Sequence, residues 1–385
     1  MSIETEQELL LQAPRRDLDR ARRDPATWTE FACVAGHDTE GRAFDRNRAA
    51  RFGVIWALQY DRRDQDLPLL RFLLNEHVAY YREVVPAGLA SDLPLAGFLL
   101  AERRQVEDIW LHWQAKSISF DTALGYHLFH LLTPGVAAVI AEVRASSHPD
   151  RDRILGFIDP ARHTDAAVEE WLSEQRERFP SAPGSENLKT WAHYAAGLGK
   201  GEASRLFMLR WAESQPRTWS TLNTLQFHLA QLGYVREAVA VQKEAVVVAG
   251  TSEGSMKASS LLTLARLQQR AGDFQEALRT LHETEAVLPG DKSGFGQGLW
   301  RHYLKECFLL TPSLPDEATA RGLLTTASQH LQEVPRLWMD GILPAALAAA
   351  EHLRDADLIH RCQALAQVAA SDRERAIGRA RRSHP

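Results

Sequence analysis

The chain has 385 residues, 45% hydrophobic and 25% charged, with 17 prolines, which is ordinary composition for a soluble folded protein. Its formal net charge of −5 lacks the basic excess of a nucleic-acid binder. No run reaches the about 20 apolar residues of a membrane span, since even VAVQKEAVVVA is interrupted by Gln242, Lys243 and Glu244.

The first 25 residues read as a charged leader helix. Thr5 and Glu8 are spaced as a capping box, acids alternate with Arg15, Arg16, Arg20, Arg22 and Arg23, and a solvated helix is expected. With acid before any apolar run, the start has no secretory h-region. Residues 26–180 read as an N-terminal all-helical domain. Thr27 and Glu30 open a short helix through Phe31, a loop runs from Gly36 to Gly41, and FDRNRAARFGVIWALQYDRR forms a longer helix. DLPLLRFLL from Asp66 and DLPLAGFLL from Asp92 each offer a capping aspartate and a first-turn proline, the start of stacked helical hairpins. VEDIWLHWQAK, FDTALGYHLFHLL and PGVAAVIAEVRAS continue as helices, and Pro149 and Thr164 open two more. No alternating β-branched run is bounded by turn pairs, so no strand is expected. SAPGS, Ser181 to Ser185, is the expected junction between this domain and a repetitive C-terminal half.

Between Ser185 and Gly290 one pattern is written three times: an apolar helical stripe, a glycine turn, a second stripe. Gly199 and Gly233 are 34 apart and Gly272 follows after 39, the excess lying in the Gly250–Ser255 loop. Such a period marks a stacked-helix array. Close helix approach needs small residues, and Ala192, Ser204, Ala238, Ala265 and Ala277 hold those places. Pro216 and Pro289 close two of the units. Residues 291–370 carry degenerate hairpins, with Ala320, Leu324 and Ala327 in the expected relation, and a cap striped by Leu358, Cys362, Leu365 and Ala369. Residues 371–385 form a basic tail expected to fray, with Arg373 to Arg382 as a candidate phosphate or acidic contact.

The repeated segment resembles the tetratricopeptide repeat, over about a quarter of the chain. It departs from that motif at Gln226, Ser204 and Gly250. The resemblance implies an all-α, right-handed superhelix whose concave face, lined by first helices, binds peptides or protein surfaces, and implies no chemistry. Placed on this sequence, that face presents Lys189, His193, Asn223, Phe227, Leu262, Arg266 and Arg270. Of the set by which some members grip a terminal carboxylate only Lys189 matches, while His193, Thr224, Ser259 and Thr263 depart from it.

Chemical constellations are sparse. His127 and His130, three apart in GYHLFHLL, could share a metal with His112, although packed histidines are commoner on apolar faces. Lys292 to Gly298 is glycine-rich before a helix but lacks a P-loop ending and a preceding strand. Trp110 and Trp113 form an aromatic stripe, by default in the core. Cys33, Cys307 and Cys362 are too few and too far apart for a disulfide framework or a zinc motif, which fits a reducing cytoplasm; the arginine excess fits a GC-rich bacterial genome. The reading is a cytoplasmic, non-enzymatic scaffold without cofactor that binds a protein or peptide, an acidic one fitting the groove best, without membrane or nucleic acid. Two alternatives stay open: a sensor of a peptide or small ligand, and an enzyme or metalloprotein with its site in the N-terminal half.

Overall fold

A computed structural model describes residues 2–85, 88–250, 254–288, 298–334, 339 and 341–383, with side chains of the last helix described only in part. Among the described residues the chain is all-α apart from one small hairpin. It divides into two compact units, 1–207 and 208–385. The division falls inside a helix, not at SAPGS, so the first helix of the first repeat belongs wholly to unit 1.

In unit 1, α1 (Ile3–Arg23) is followed by a 3-10 turn, Pro25–Phe31, then β1 (Ala35–His37) and β2 (Ala43–Asp45). These strands pair antiparallel with Gly36 opposite Phe44. The sequence reading missed them because three-residue strands are too short to show alternation. Helices α2 (Arg48–Tyr60), α3 (Leu67–Glu83), α4 (Asp92–Ala101), α5 (Ile109–Ser117), α6 (Phe120–Gly125), α7 (Phe129–Leu132), α8 (Val136–Ala145), α9 (Arg151–Phe157), α10 (Asp165–Arg178) and α11 (Leu188–Gly197) come next, and α12 (Gly201–Glu213) begins here.

The leader is not a solvated helix. Leu10, Leu11, Pro14, Leu18 and Ala21 are buried, and α1 is capped by Ser2, whose hydroxyl accepts from the Thr5 amide; no Thr5–Glu8 box forms. Arg22 is almost wholly enclosed and donates to Asp61 at 2.5 Å and to both oxygens of the buried Asp66 at 2.8 Å. Asp66 and Asp92 therefore do not act as the side-chain caps expected of them. Each is a buried acid at a helix start facing an arginine from elsewhere: Arg22 for Asp66, Arg48 at 3.6 Å for Asp92, with Arg71 doing the same for Asp108 at 2.6 Å. Arg51 is fully buried, donating to Asp45 at 2.5 Å, to His77 Nδ1 at 3.0 Å and to the Phe31 carbonyl at 3.1 Å. Buried charges persist only where paired. Here the pairs tie together segments distant in sequence.

Aromatic packing joins α2 to α11. Trp56 meets Trp191 and Tyr194 edge-on, each with ring centroids 4.8 Å apart, and Gln59 donates to Glu186 at 2.7 Å. Ser204 sits at the α11–α12 approach, and its hydroxyl donates to the Ala192 carbonyl at 2.6 Å. Both residues are fully buried.

Unit 2 contains α13 (Trp219–Gln231), α14 (Val235–Ala249), α15 (Gly254–Ala271), α16 (Phe274–Val287), α17 (Leu299–Leu310), α18 (Glu317–Leu331), α19 (Leu343–His352) and α20 (Ala356–Ser383). The helical hairpins read from the sequence are present, and each turn glycine has positive φ: Gly199 70°, Gly233 87°, Gly272 82°. The helix end is closed the same way each time. The residue after the glycine donates five positions back, Lys200 to Ala195, Tyr234 to Leu229 and Asp273 to Gln268, at 2.8, 2.9 and 2.8 Å. That is the Schellman cap, which requires a left-handed residue best supplied by glycine. Ala238, Ala265 and Ala277 have no exposed surface. Gln226, where a small residue is usual, is buried and donates to Asn223 at 3.2 Å. The core of this unit runs from Ala258 through Leu281, Phe308 and Ala327 to Cys362. The helix over the basic tail extends to Ser383, where fraying was expected.

Candidate interaction surface

The first helices of successive hairpins in unit 2, α13, α15 and α17, are laced together by polar bonds. Trp219 Nε1 donates to Ser260 Oγ at 2.8 Å, and Arg270 Nη2 donates to the Ala230 carbonyl at 2.9 Å, joining α13 to α15. Arg266 Nε donates to Glu306 Oε1 at 3.1 Å, joining α15 to α17. The Glu306 side chain is 6% exposed and that of Arg266 is 50% exposed. The bond thus holds the guanidinium at the surface by an anchored acid. Burial raises the Glu306 carboxyl, with Arg266 pulling against it.

Exposed apolar and basic side chains lie on the same helices. Phe227 on α13 is 60% exposed, one turn from the carbonyl that holds Arg270, and Leu309 on α17 is also exposed. His302, exposed on the same helix, has its imidazole lowered, first by partial burial and then by Arg266, Arg301 and Lys305. Several cations therefore bear on one place.

Of the seven residues expected on the groove, Lys189 and His193 lie on α11 in unit 1, and the remaining five lie in unit 2. Asn223 is half-buried and accepts from Gln226; Phe227, Arg266 and Arg270 are at the surface. Leu262 is a correction. It is 2% exposed and packs in the core with Ala265, Leu281 and Leu304, so it offers no groove contact. His302, Lys305 and Leu309 were missed. They recur at i, i+3 and i+7 on WRHYLKECFLL, the helical spacing by which one exposed stripe is read, but α17 lies past the clear repeats.

The three histidines do not converge on a metal. The expected helix FDTALGYHLFHLL breaks into α6 and α7, and His127 falls in the break. Its exposed ring stacks on Trp171 at 5.5 Å and its Nδ1 accepts from the Phe129 amide at 3.2 Å. His130 is buried, with Nδ1 bonded to the His127 carbonyl at 2.8 Å, while His112 Nδ1 is bonded to the Tyr126 hydroxyl at 2.7 Å. Burial drives the His130 imidazole down to about 3 and that of His112 well below its ordinary value. Tyr126, in the same break, lies so tightly over Gly97 that a Cβ there would strike its ring. Among the described residues no three His, Cys, Asp or Glu side chains are grouped to hold a metal.

Trp113 is buried, and Trp110 stacks on His148 at 4.3 Å. Burial pushes the Cys307 thiol well up and the Cys33 thiol to about 11, both away from thiolate chemistry. Residues 292–297 of the glycine-rich loop and the side chains of Arg373 and Arg382 lie outside the described residues. Among the described residues no helix is long and apolar enough to cross a membrane. No family model and no curated protein matches the chain.

Proposed function

We propose that this chain is a non-enzymatic scaffold of tetratricopeptide-repeat type, its hairpins continuing a right-handed superhelix, and that it binds an acidic protein segment across α13, α15 and α17. The observation that carries this reading is Phe227. A phenylalanine 60% exposed, one turn along α13 from the carbonyl that holds Arg270, combines the aromatic and arginine chemistry enriched at protein interfaces. The three repeated Schellman caps and the fully buried alanines support the repeat assignment, because they are what that motif's glycine and small positions are for. The acid-binding preference comes from charge: Arg266, Arg270 and Lys305 carry positive groups, and Glu306, the acid bonded to Arg266, is buried.

Affinity purification with mass spectrometry, comparing wild type with a Phe227→Ala, Lys305→Glu double variant, tests the proposal. Both positions are at or near the surface, so the variant should melt like wild type while losing specific acidic partners. Recovery of every wild-type partner by the variant would remove this surface from consideration.

A further inference from the structure

Unit 1 contains a cavity of about 520 Å³ lined by Arg48, Phe52, Ala90, Ser91, Asp92, His193, Ala196 and Gly197. That volume falls within the roughly 300–1,000 Å³ typical of small-molecule sites. Its floor holds a carboxylate with unusual surroundings. Asp92 is 3% exposed, and its Oδ1 accepts from the adjacent Leu93 amide at 3.0 Å. Its Oδ2 stands 3.4 Å from His77 Nε2 and 3.6 Å from Arg48 Nη2, both beyond a good directed bond. His77 Nε2, itself buried, finds no partner with hydrogen-bond geometry. Arg51, the other cation nearby, is already committed to Asp45. Asp92, a lining residue of the cavity, thus has at Oδ2 only two long contacts, to His77 and to Arg48.

A buried carboxylate held by one backbone amide and two long contacts still has an oxygen able to accept a further charge-assisted bond. Arg48, a lining residue, is 43% exposed along its side chain, and its guanidinium lies over the Tyr80 ring at 5.0 Å. Opposite charges 3.6 Å apart and imperfectly aligned suit a molecule carrying both complements on one carbon. An ammonium donates to Asp92 Oδ2, and a carboxylate accepts from Arg48, replacing one weak pair by two charge-assisted bonds. Phe52, Ala90, Ala196 and Gly197 leave an apolar wall for a side chain.

We infer that unit 1 binds a free zwitterionic α-amino acid between Asp92 and Arg48. The site's residues belong to unit 1 and the proposed protein-binding helices to unit 2, and its occupancy would make unit 1 a small-molecule sensor module.

The test is calorimetric titration and thermal shift of the full chain with the proteinogenic L-amino acids, each beside its N-acetyl and carboxamide derivatives. At least one free amino acid should bind saturably, one per chain, and raise the melting temperature, with both derivatives inactive. Arg48→Gln, at a half-exposed side chain, should weaken binding by about tenfold or more, the value of one charge-assisted bond. Ala196→Leu should fill the cavity and abolish binding while the protein stays folded. Absence of binding by the whole panel overturns the inference, as does equal binding of a derivative or an unchanged affinity in Arg48→Gln.

Discussion

Arg354 holds at the α19–α20 turn the backbone state that Gly272 holds at the α15–α16 turn. Its φ is 55°, against 82° for the glycine. The caps match as well: Asp355 donates to the Ala350 carbonyl at 2.9 Å as Asp273 donates to Gln268 at 2.8 Å. The turn of the repeats recurs near the end of the chain with an arginine in the glycine's place. A left-handed non-glycine residue costs about 1–2 kcal/mol. Arg354→Gly should therefore stabilise the protein by about 0.5–1 kcal/mol, after roughly 0.5–1 kcal/mol is returned as unfolded-chain entropy. Gly272→Ala should destabilise by about 1–2 kcal/mol. Thermal melts of both variants check the pair, and opposite signs are the expected result.

The buried Arg–Asp pairs of unit 1 differ sharply from the surface ones in expected worth. Arg22→Leu leaves the buried Asp66 carboxyl without its arginine partner, a loss of about 3–5 kcal/mol. Arg42→Ala removes an exposed pair with Asp38 and should change stability by less than about 0.5 kcal/mol. Equal melting of the two variants would mean that α1 is not held by this pair.

These contrasts show what was legible in the sequence. The hairpins could be read because their signals are local: a glycine where φ must be positive, and alanines where helices touch. Arg22 could not be read as structural, since Asp66 lies 44 residues away and nothing in the leader's charge pattern marks one arginine among five as buried. The break between α6 and α7 was equally hidden, and so was the contact of Tyr126, which lies in it, with Gly97 of another helix. On the candidate surface, Phe227, Arg266 and Arg270 could be placed from repeat register, whereas Leu262 shares their stripe and is turned inward by the packing around α15.

Overpacking tests the register directly. Ala238 and Ala277 have no exposed surface, so replacing either with leucine should cost about 1–3 kcal/mol in thermal or denaturant unfolding. Wild-type melting of both variants would place them away from a helix contact.

Acid should weaken unit 1 through its histidines. His130 is lowered to about 3 in the folded protein by burial, and an unfolded histidine titrates near 6.5. Between those values the unfolded chain binds more protons, so this contribution is complete above about pH 6.5 and is lost as pH falls toward 3. His130 alone accounts for on the order of 3 kcal/mol by pH 4, and His112 acts in the same direction. Glu306, whose carboxyl burial raises, works the other way. The melting temperature should fall from pH 7 to pH 4, and His130→Phe should flatten that slope; an unchanged slope would remove His130 as its source.

The partner surface makes a finer prediction about its two arginines. Arg266 is bonded to Glu306, whose side chain is 6% exposed, so Arg266→Glu sets a second acid against a buried one and should destabilise the fold as well as binding. Arg270 is held by a backbone carbonyl, which charge reversal leaves free to bond elsewhere. Arg270→Glu should therefore slow association with an acidic partner while lowering the melting temperature less than Arg266→Glu does. Salt supplies the second arm: binding to wild type should weaken as ionic strength rises, because exposed cations are screened beyond about 10 Å at 0.1 M. That dependence should be shallower in Arg270→Glu and unaffected by Phe227→Ala, which removes contact area without charge. Association rates measured against a purified partner across a salt series decide the matter. A salt slope identical in wild type and Arg270→Glu would mean that Arg270 only fastens α15 to α13.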